Sequence, residues 1–412
     1  MRMMGLRTDG GRRFGAWLLF ATLAVALLLA PTETLARRSR HKTAPVDSEE
    51  SQTDASAKSG LTAPYASACV MEPTSGTIVF AKEMHKPWPT ASLAKMMLML
   101  IVAEKLHDGS LKLTDQITTS RKAAKTGGSQ VYLKEGETFA LEEMMKAVVI
   151  HSSNDATLAV AEYIAGSDEA FVEMANKRAG ELGMADSHYY SVHGLPPGPG
   201  QQADVASAYD SAILARELIK YPDILRWSAI DSCMFRDGTF ELRNTNHLVR
   251  TFRGCDGLKT GFYYKAGFNV VATAKRNGLR LIAVVLGSPR KNQNFGEAGT
   301  LLSQGFLNYY MYPVAKKGAP IGQPVQISEG TPASLKPVWA DDLAVFLKHG
   351  QEKDAVKFRY EIPPSFAAPI KTGQRLGMGD VLVDGKVVGS VPLVAPADVQ
   401  RQSLFSRLTG KF

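Results

Sequence analysis

Eight consecutive apolar residues, Met96-Met97-Leu98-Met99-Leu100-Ile101-Val102-Ala103, follow Lys95, and the helical pattern ends near Asp108-Gly109. A run with no polar face reads as a helix enclosed on every side, so the rest of the chain has to pack around it. Pro89 and Thr90 read as its entry. Just inside that entry stands Ser92-Leu93-Ala94-Lys95. On a helix, positions i and i+3 share a face, which sets the Lys95 amine beside the Ser92 hydroxyl. A serine is a weak nucleophile until an adjacent base takes its proton. A lysine is such a base when burial keeps it neutral near pH 7. The helix start also favours a developing oxyanion. Ser-x-x-Lys arises by chance about once or twice in a chain of this size, so the remaining sequence has to decide its meaning.

The order of elements suggests an α+β fold. Tyr65–Met71 and Thr77–Ala81 read as strands around a Pro73–Gly76 turn. Helical patterns follow at Leu141–Ile150, Ala156–Ile164, Glu169–Leu182 and Ala206–Lys220, with Pro196–Gly200 as a loop. Strands return after about Met234, and Cys255–Lys259 leads into Lys259-Thr260-Gly261. Gly267–Lys275 and Leu279–Leu286 are apolar, β-branched runs joined by Asn277-Gly278, a strong hairpin signal. A helix over about Phe295–Tyr309 closes this region. Strands, then helices, then strands imply an antiparallel sheet whose first strands pair with its last. Residues 313–395 are rich in Pro, Gly and short β-type runs, including the hairpin pattern Val381–Val388, and read as a small all-β domain.

The ends of the chain carry other signals. Arg2, Arg7, Arg12 and Arg13 precede an apolar run from Phe14 to Ala30, and Thr34-Leu35-Ala36 offers small residues for cleavage. Residues 1–36 therefore read as an export signal, cleaved after Ala36 or retained as a membrane anchor. Either way the body lies outside the cytoplasm. Residues 37–61, basic and then Ser/Asp/Glu/Ala-rich, read as a disordered tether. In the tail, residues 396–412, Leu404, Phe405, Leu408 and Phe412 alternate with Arg401, Arg407 and Lys411. That pattern is a short amphipathic basic helix suited to a membrane surface, or a frayed end. Net charge is +8, of which residues 1–36 hold +2. The mild excess suits a polyanionic neighbourhood such as a membrane or wall, and nothing resembles a nucleic-acid reader. Cys69, Cys233 and Cys255 are odd in number and read as buried thiols or at most one disulfide. No residue pattern calls for a metal or cofactor.

Two further motifs join the first. Ser152-Ser153-Asn154 follows a helical pattern, and Lys259-Thr260-Gly261 ends an apolar approach. Ser-x-x-Lys, Ser-x-Asn and Lys-Thr-Gly together make an acyl-transfer site. Ser152 can relay a proton to a leaving amine and Asn154 can hold a substrate amide. Lys259 and Thr260 can bind a carboxylate by charge and hydrogen bond. Lys-Thr-Gly also occurs at 125–127 and 371–373. Those copies read as turns, since only Lys259 both follows Ser152 and precedes the hairpin strands.

The chain resembles the low-molecular-mass penicillin-binding proteins, the serine D-alanyl-D-alanine carboxypeptidases. The resemblance runs from about residue 62 to 395. It is carried by Pro89–Met97, Thr126-Gly-Gly-Ser129 with Leu133-Lys-Glu-Gly136, Ser152–Ala156, Asp256–Gly261 with Lys265–Asn269, and Ala368–Gln374. It implies a penicillin-recognising transpeptidase/β-lactamase-like domain over 62–312, with a small all-β domain after it. It implies that Ser92 attacks the D-Ala–D-Ala bond of the peptidoglycan stem peptide, that Lys95 is the base, and that the N–H groups of Ser92 and Phe262 form the oxyanion hole. β-Lactams would acylate Ser92 and stay. No cofactor is implied, and the expected location is the periplasm, with the tail touching the outer face of the cytoplasmic membrane.

Two departures and three alternatives bear on this reading. The residue after Lys-Thr-Gly is often His or Tyr in that family and here is Phe262, which implies an altered rate or pH dependence. The C-terminal anchor is short. A class A β-lactamase would need a Glu-x-x-Leu-Asn pattern between Asn154 and Lys259, and there is none. A DD-endopeptidase uses the same residues, but its usual small form lacks the C-terminal domain. A wall-binding scaffold with a vestigial site has no need of Lys95 or Lys259.

Overall fold

The Asn277-Gly278 turn closes a hairpin of two long strands, Gly267–Arg276 and Leu279–Ser288. Both turn residues take positive φ, +47° and +83°, as a two-residue hairpin loop requires. The strands are apolar on both faces because both faces are covered. On one face Val271, Ile282 and Val284 join Cys69, Met71 and the Met96–Ala103 helix in one core. On the other, Val270, Ala272, Ala283 and Val285 pack with Leu301 and Leu302, which belong to the helix Gln293–Asn308. The structure, a computed structural model, describes residues 64–351 and 355–403. The expected export signal, the tether and the last part of the tail (404–412) lie outside the described residues.

The sheet runs in the order Thr77–Lys82, Ser67–Glu72, Leu279–Ser288, Gly267–Arg276, Cys255–Tyr263. Every neighbour is antiparallel, with Met71 opposite Ile282 and Lys259 opposite Val271. The first strands thus pair with the last, and the α+β expectation holds. The core helix, Lys95–His107, is buried at every residue from Lys95 to Ala103, as a helix without a polar face must be.

Local structure departs from the sequence reading where the site is built. Ser92 lies in a 3₁₀ turn, Ala91–Ala94, and the α-helix begins only at Lys95. The expected helix Leu141–Ile150 is α-helical only to Lys146. It then widens into a π turn, Ala147–His151, and leaves Ser152 in the left-handed region (φ 65°, ψ 32°). Asn154 opens the next helix, Asn154–Ala165, rather than lying in a loop. Lys259-Thr260-Gly261 sits inside a nine-residue strand, Cys255–Tyr263, not at its end. The reason is shared: each segment is shaped by packing against another, which local propensity does not report. The helix Pro222–Ser228 was not anticipated, and the strands expected from about Met234 begin as the hairpin Ser232–Phe235/Phe240–Arg243.

The C-terminal β region begins with the strand Tyr309–Ala315, before Pro313, and continues to Gln400–Arg401. Its largest sheet pairs Val338–Trp339, Lys386–Val394, Arg375–Val383 and Val356–Glu361 in that order. Gln400–Arg401 pair with Gly330–Thr331, and Asp398 accepts from the Thr372 N–H and hydroxyl at 2.8 Å each. The start of the expected tail helix is therefore strand. Lys371-Thr372-Gly373 is a turn with Gly373 at φ 79°, as read from the sequence. All three cysteines are free. Among the described residues no helix is long and apolar enough to cross a membrane.

Candidate active site

The Lys95 Nζ donates to Ser92 Oγ at 2.8 Å and to the His193 carbonyl at 2.8 Å. Its side chain is fully buried. Burial first, and the neighbouring Lys259 second, push its pKa well below the ordinary lysine value of 10.5, against the pull of Asp204 and Asp155. An amine so placed is available to take a proton. The Ser92 hydroxyl and the Lys95 amine are therefore paired as the i, i+3 spacing predicts, across the junction of a 3₁₀ turn and an α-helix.

Ser152 reaches the same site from the π turn. Its left-handed backbone turns it out of the helix axis, and its Oγ is buried without a hydrogen-bond partner in the structure. A buried hydroxyl without a partner is costly unless a reacting group completes it. Asn154 has its side-chain Oδ1 buried without a hydrogen-bond partner, while its nitrogens are engaged. Its Nδ2 donates to the Gly127 carbonyl at 2.7 Å and its backbone N–H to the Ser129 carbonyl at 2.7 Å. It therefore holds the 127–129 segment against the site. A Cβ at Gly128 would stand 2.6 Å from Asn154 Nδ2, so this contact also depends on a glycine.

The strand Cys255–Tyr263 forms the opposite wall. Lys259 is fully buried and donates to the Thr260 carbonyl at 3.2 Å. Burial pushes its pKa down to about 7. It lies behind the wall near Lys95 and His151, whose pKa values it lowers. Thr260 Oγ1 donates to Thr245 Oγ1 at 2.8 Å. Gly261 lies against the nucleophile's turn: a Cβ there would stand 2.6 Å from the Thr90 carbonyl and 3.0 Å from Ser92 N. Phe262 is half exposed and stacks on Phe268 at 4.1 Å. Ser92, Ser152, Thr245, Thr260, Gly261 and Phe262 line one cavity of about 320 Å³. Lys259 and Asn154 do not line it.

Several residues at the site were missed in the sequence. Ser129, Thr245, His247, Lys291 and Asn294 also line the cavity. Asn269 donates from Nδ2 to the Pro89 and Thr90 carbonyls and accepts the Gly287 N–H, tying the central hairpin to the entry of the Ser92 turn. The Lys125-Thr126-Gly127 copy, read as a bare turn, leads directly into the segment that Asn154 holds. Its Gly127-Gly128-Ser129 continuation was the one sequence signal that could have marked it. Among the described residues no cluster of His, Cys, Asp or Glu is arranged to hold a metal ion.

Comparison with known proteins agrees with this geometry. The family described as D-alanyl-D-alanine carboxypeptidase matches residues 52–290, and that described as Penicillin-binding protein 5, C-terminal domain, matches residues 309–401. The D-alanyl-D-alanine carboxypeptidase DacF of Bacillus subtilis is 33% identical over 345 residues, 83% of this chain and 87% of that protein. Penicillin binding protein 5 of Haemophilus influenzae superposes with a TM-score of 0.64 at 29% identity, over 83% of this chain and 99% of that one. Penicillin-Binding Protein D2 of Listeria monocytogenes, solved with ampicillin bound, superposes with a TM-score of 0.54 at 27% identity, over 59% of this chain and 98% of that one. Since these matches cover both the helix-and-sheet region and the C-terminal strands, the chain belongs to the D-alanyl-D-alanine carboxypeptidase family of low-molecular-mass penicillin-binding proteins.

Proposed function

We propose that the protein is a serine-type D-alanyl-D-alanine carboxypeptidase that trims the terminal D-alanine from peptidoglycan stem peptides, limiting their cross-linking. The observation that carries this reading is the fully buried Lys95 amine 2.8 Å from Ser92 Oγ. Neutral Lys95 takes the hydroxyl proton as Ser92 Oγ attacks the carbonyl carbon of the penultimate D-alanine. Negative charge develops on the carbonyl oxygen, and the backbone N–H groups of Ser92 and Phe262 receive it. Gly261 supports this role, because its lack of a side chain brings the Phe262 strand against the Ser92 turn. The proton passes to the leaving nitrogen through Ser152 Oγ. D-Alanine departs, and water then cleaves the ester with Lys95 again as base.

Thr260 and Thr245 present hydroxyls to the substrate's terminal carboxylate, with Lys259 behind them. Asn154 keeps the 127–129 segment in place as the third side of the cleft. β-Lactams, which carry a strained amide and a carboxylate, enter the same cavity and acylate Ser92. Residues 1–36 direct the chain out of the cytoplasm and 37–61 tether it. Residues 62–308 form the catalytic domain, 309–401 the β domain, and the residues after it touch the outer face of the cytoplasmic membrane.

The test is the intact mass of the mature protein with benzylpenicillin over time, beside Ser92→Ala. A lasting single adduct on wild type alone, together with D-alanine release from a peptide ending in D-Ala-D-Ala, is the expected result. An adduct that clears quickly indicates a β-lactamase-like enzyme. A folded wild type that forms no adduct overturns the reading.

A further inference from the structure

We infer that Asp204 is a positioning residue for this reaction: its buried carboxylate holds the loop that anchors Lys95, and its backbone carbonyl ties that loop to the residue before the Ser92 turn. The inference rests on the roles of Ser92 and Lys95 proposed above. Asp204 lies outside all three motifs and is buried. Its Oδ1 accepts the backbone N–H groups of Tyr190 and Ser191 at 2.6 and 2.8 Å, and its Oδ2 accepts the Ser191 hydroxyl at 2.6 Å. Ser191 Oγ in turn accepts the Gly194 N–H at 2.9 Å. The loop so gathered carries His193, whose carbonyl receives Lys95 Nζ.

The backbone of Asp204 reaches Thr90, just before the turn that carries Ser92. Its own carbonyl accepts the Thr90 N–H at 2.9 Å and the Thr90 hydroxyl at 3.3 Å, immediately before the Ala91–Ala94 turn. The loop and the turn are pressed together, since a Cβ at Gly194 (φ +75°) would stand 1.9 Å from the Ala91 carbonyl oxygen. One residue thus fixes both partners of the proton transfer without touching substrate.

A neutral acceptor could make most of these bonds, so the charge needs its own reason. Removing a carboxylate from water is unfavourable unless something compensates it. The compensating groups are the loop N–H donors and the buried amine of Lys95, which Asp204 and Asp155 both face. Lys259 faces Lys95 with the opposite effect, His193 lies beside Lys95, and the phenols of Tyr189 and Tyr263 face Asp204. Negative charge at 204 favours protonated Lys95, which is the form made during acylation.

The experiment compares wild type, Asp204→Asn and Ser191→Ala in full-length mature protein. It reads melting temperature, the benzylpenicillin acylation rate, and kcat and KM against pH with a peptide ending in D-Ala-D-Ala. Asp204→Asn is expected to fold, to lose kcat by about 10- to 100-fold with KM within about twofold, and to move the acid limb to lower pH. Ser191→Ala keeps the charge, so it is expected to slow acylation with the limb unmoved. Asp204→Asn with wild-type kcat and an unmoved limb overturns the proposal, as does a loss of activity that only follows a lower melting temperature. If Asp204→Asn does not fold, wild-type acylation by Ser191→Ala overturns it. Wild type failing to form its adduct would sink the proposed function instead, so the two failures are distinguishable.

Discussion

Two lysine amines share one desolvated space behind Ser92, and most of the chemistry follows from that. Lys95 and Lys259 are each fully buried, and each is held below the ordinary lysine range. As the proposed base, Lys95 acts only when neutral, so activity is expected to be full above its folded pKa and lost as pH falls through it. Because that pKa is lowered, the acid limb of kcat/KM falls well below pH 10.5. Lys95→Arg keeps a positive charge at every accessible pH, so the benzylpenicillin acylation rate is expected to drop about a thousandfold or more with the fold retained. Lys259 makes a stability prediction as well. Its pKa is about 7 in the folded protein and about 10.4 in an unfolded chain. Between those values the unfolded state binds more protons, so stability rises with pH from about 7 toward 9. Lys259→Met is expected to flatten that slope in urea denaturation, to be more stable than wild type at neutral pH, and to be inactive.

At the scale of elements, the site is a junction of three. The Ala91–Ala94 turn brings Ser92, the π turn Ala147–His151 brings Ser152, and the strand Cys255–Tyr263 closes the cavity. The strand approaches the turn so closely that only glycine fits at 261. Gly261→Ala is expected to force the strand away from Ser92 N. Acylation should slow by at least about tenfold, and stability should fall by about 1–3 kcal/mol, as for other overpacked positions. Stopped-flow acylation and denaturant titration of the same preparation check both. A Gly261→Ala protein with wild-type acylation would show that the oxyanion hole lies elsewhere. Element type was largely legible, because an apolar run without a polar face, an Asn-Gly turn and β-branched pairs have one reading each. Element junctions were not. The π turn and left-handed Ser152 come from a sequence, Ala-Val-Val-Ile-His-Ser, that by propensity continues a helix or ends it anywhere nearby.

In the molecule as a whole, the C-terminal strands pack Tyr309, Met311 and Phe346 against one core of the five-stranded sheet but also have cores of their own. The helices and five-stranded sheet share two large clusters, one on each face of the sheet. The C-terminal strands have their own, with Trp339 packed among Ile321, Val391 and Leu393. Trp339→Ala is therefore expected to destabilise the C-terminal region by about 3–5 kcal/mol while benzylpenicillin still acylates Ser92 at the wild-type rate. Calorimetry of the intact protein, with and without the acylating ligand, reads both. The sequence by itself determined the enclosed helix after Lys95, the antiparallel hairpin, the all-β C-terminal composition and the residue types of the three motifs. These are local patterns, written in spacing and composition. Only the tertiary structure decided that Asn154 spends its amide on Gly127, and that Lys259 stands behind the cavity wall rather than on it. It alone brought Thr245 to Thr260 at the cavity, and Asn269 and Asp204 to the entry of the Ser92 turn. Asn269 meets Pro89 across 180 positions of chain and Asp204 meets Thr90 across 114. No periodicity spans such distances: those contacts exist because close packing of the finished core leaves each backbone group one place to find its partner.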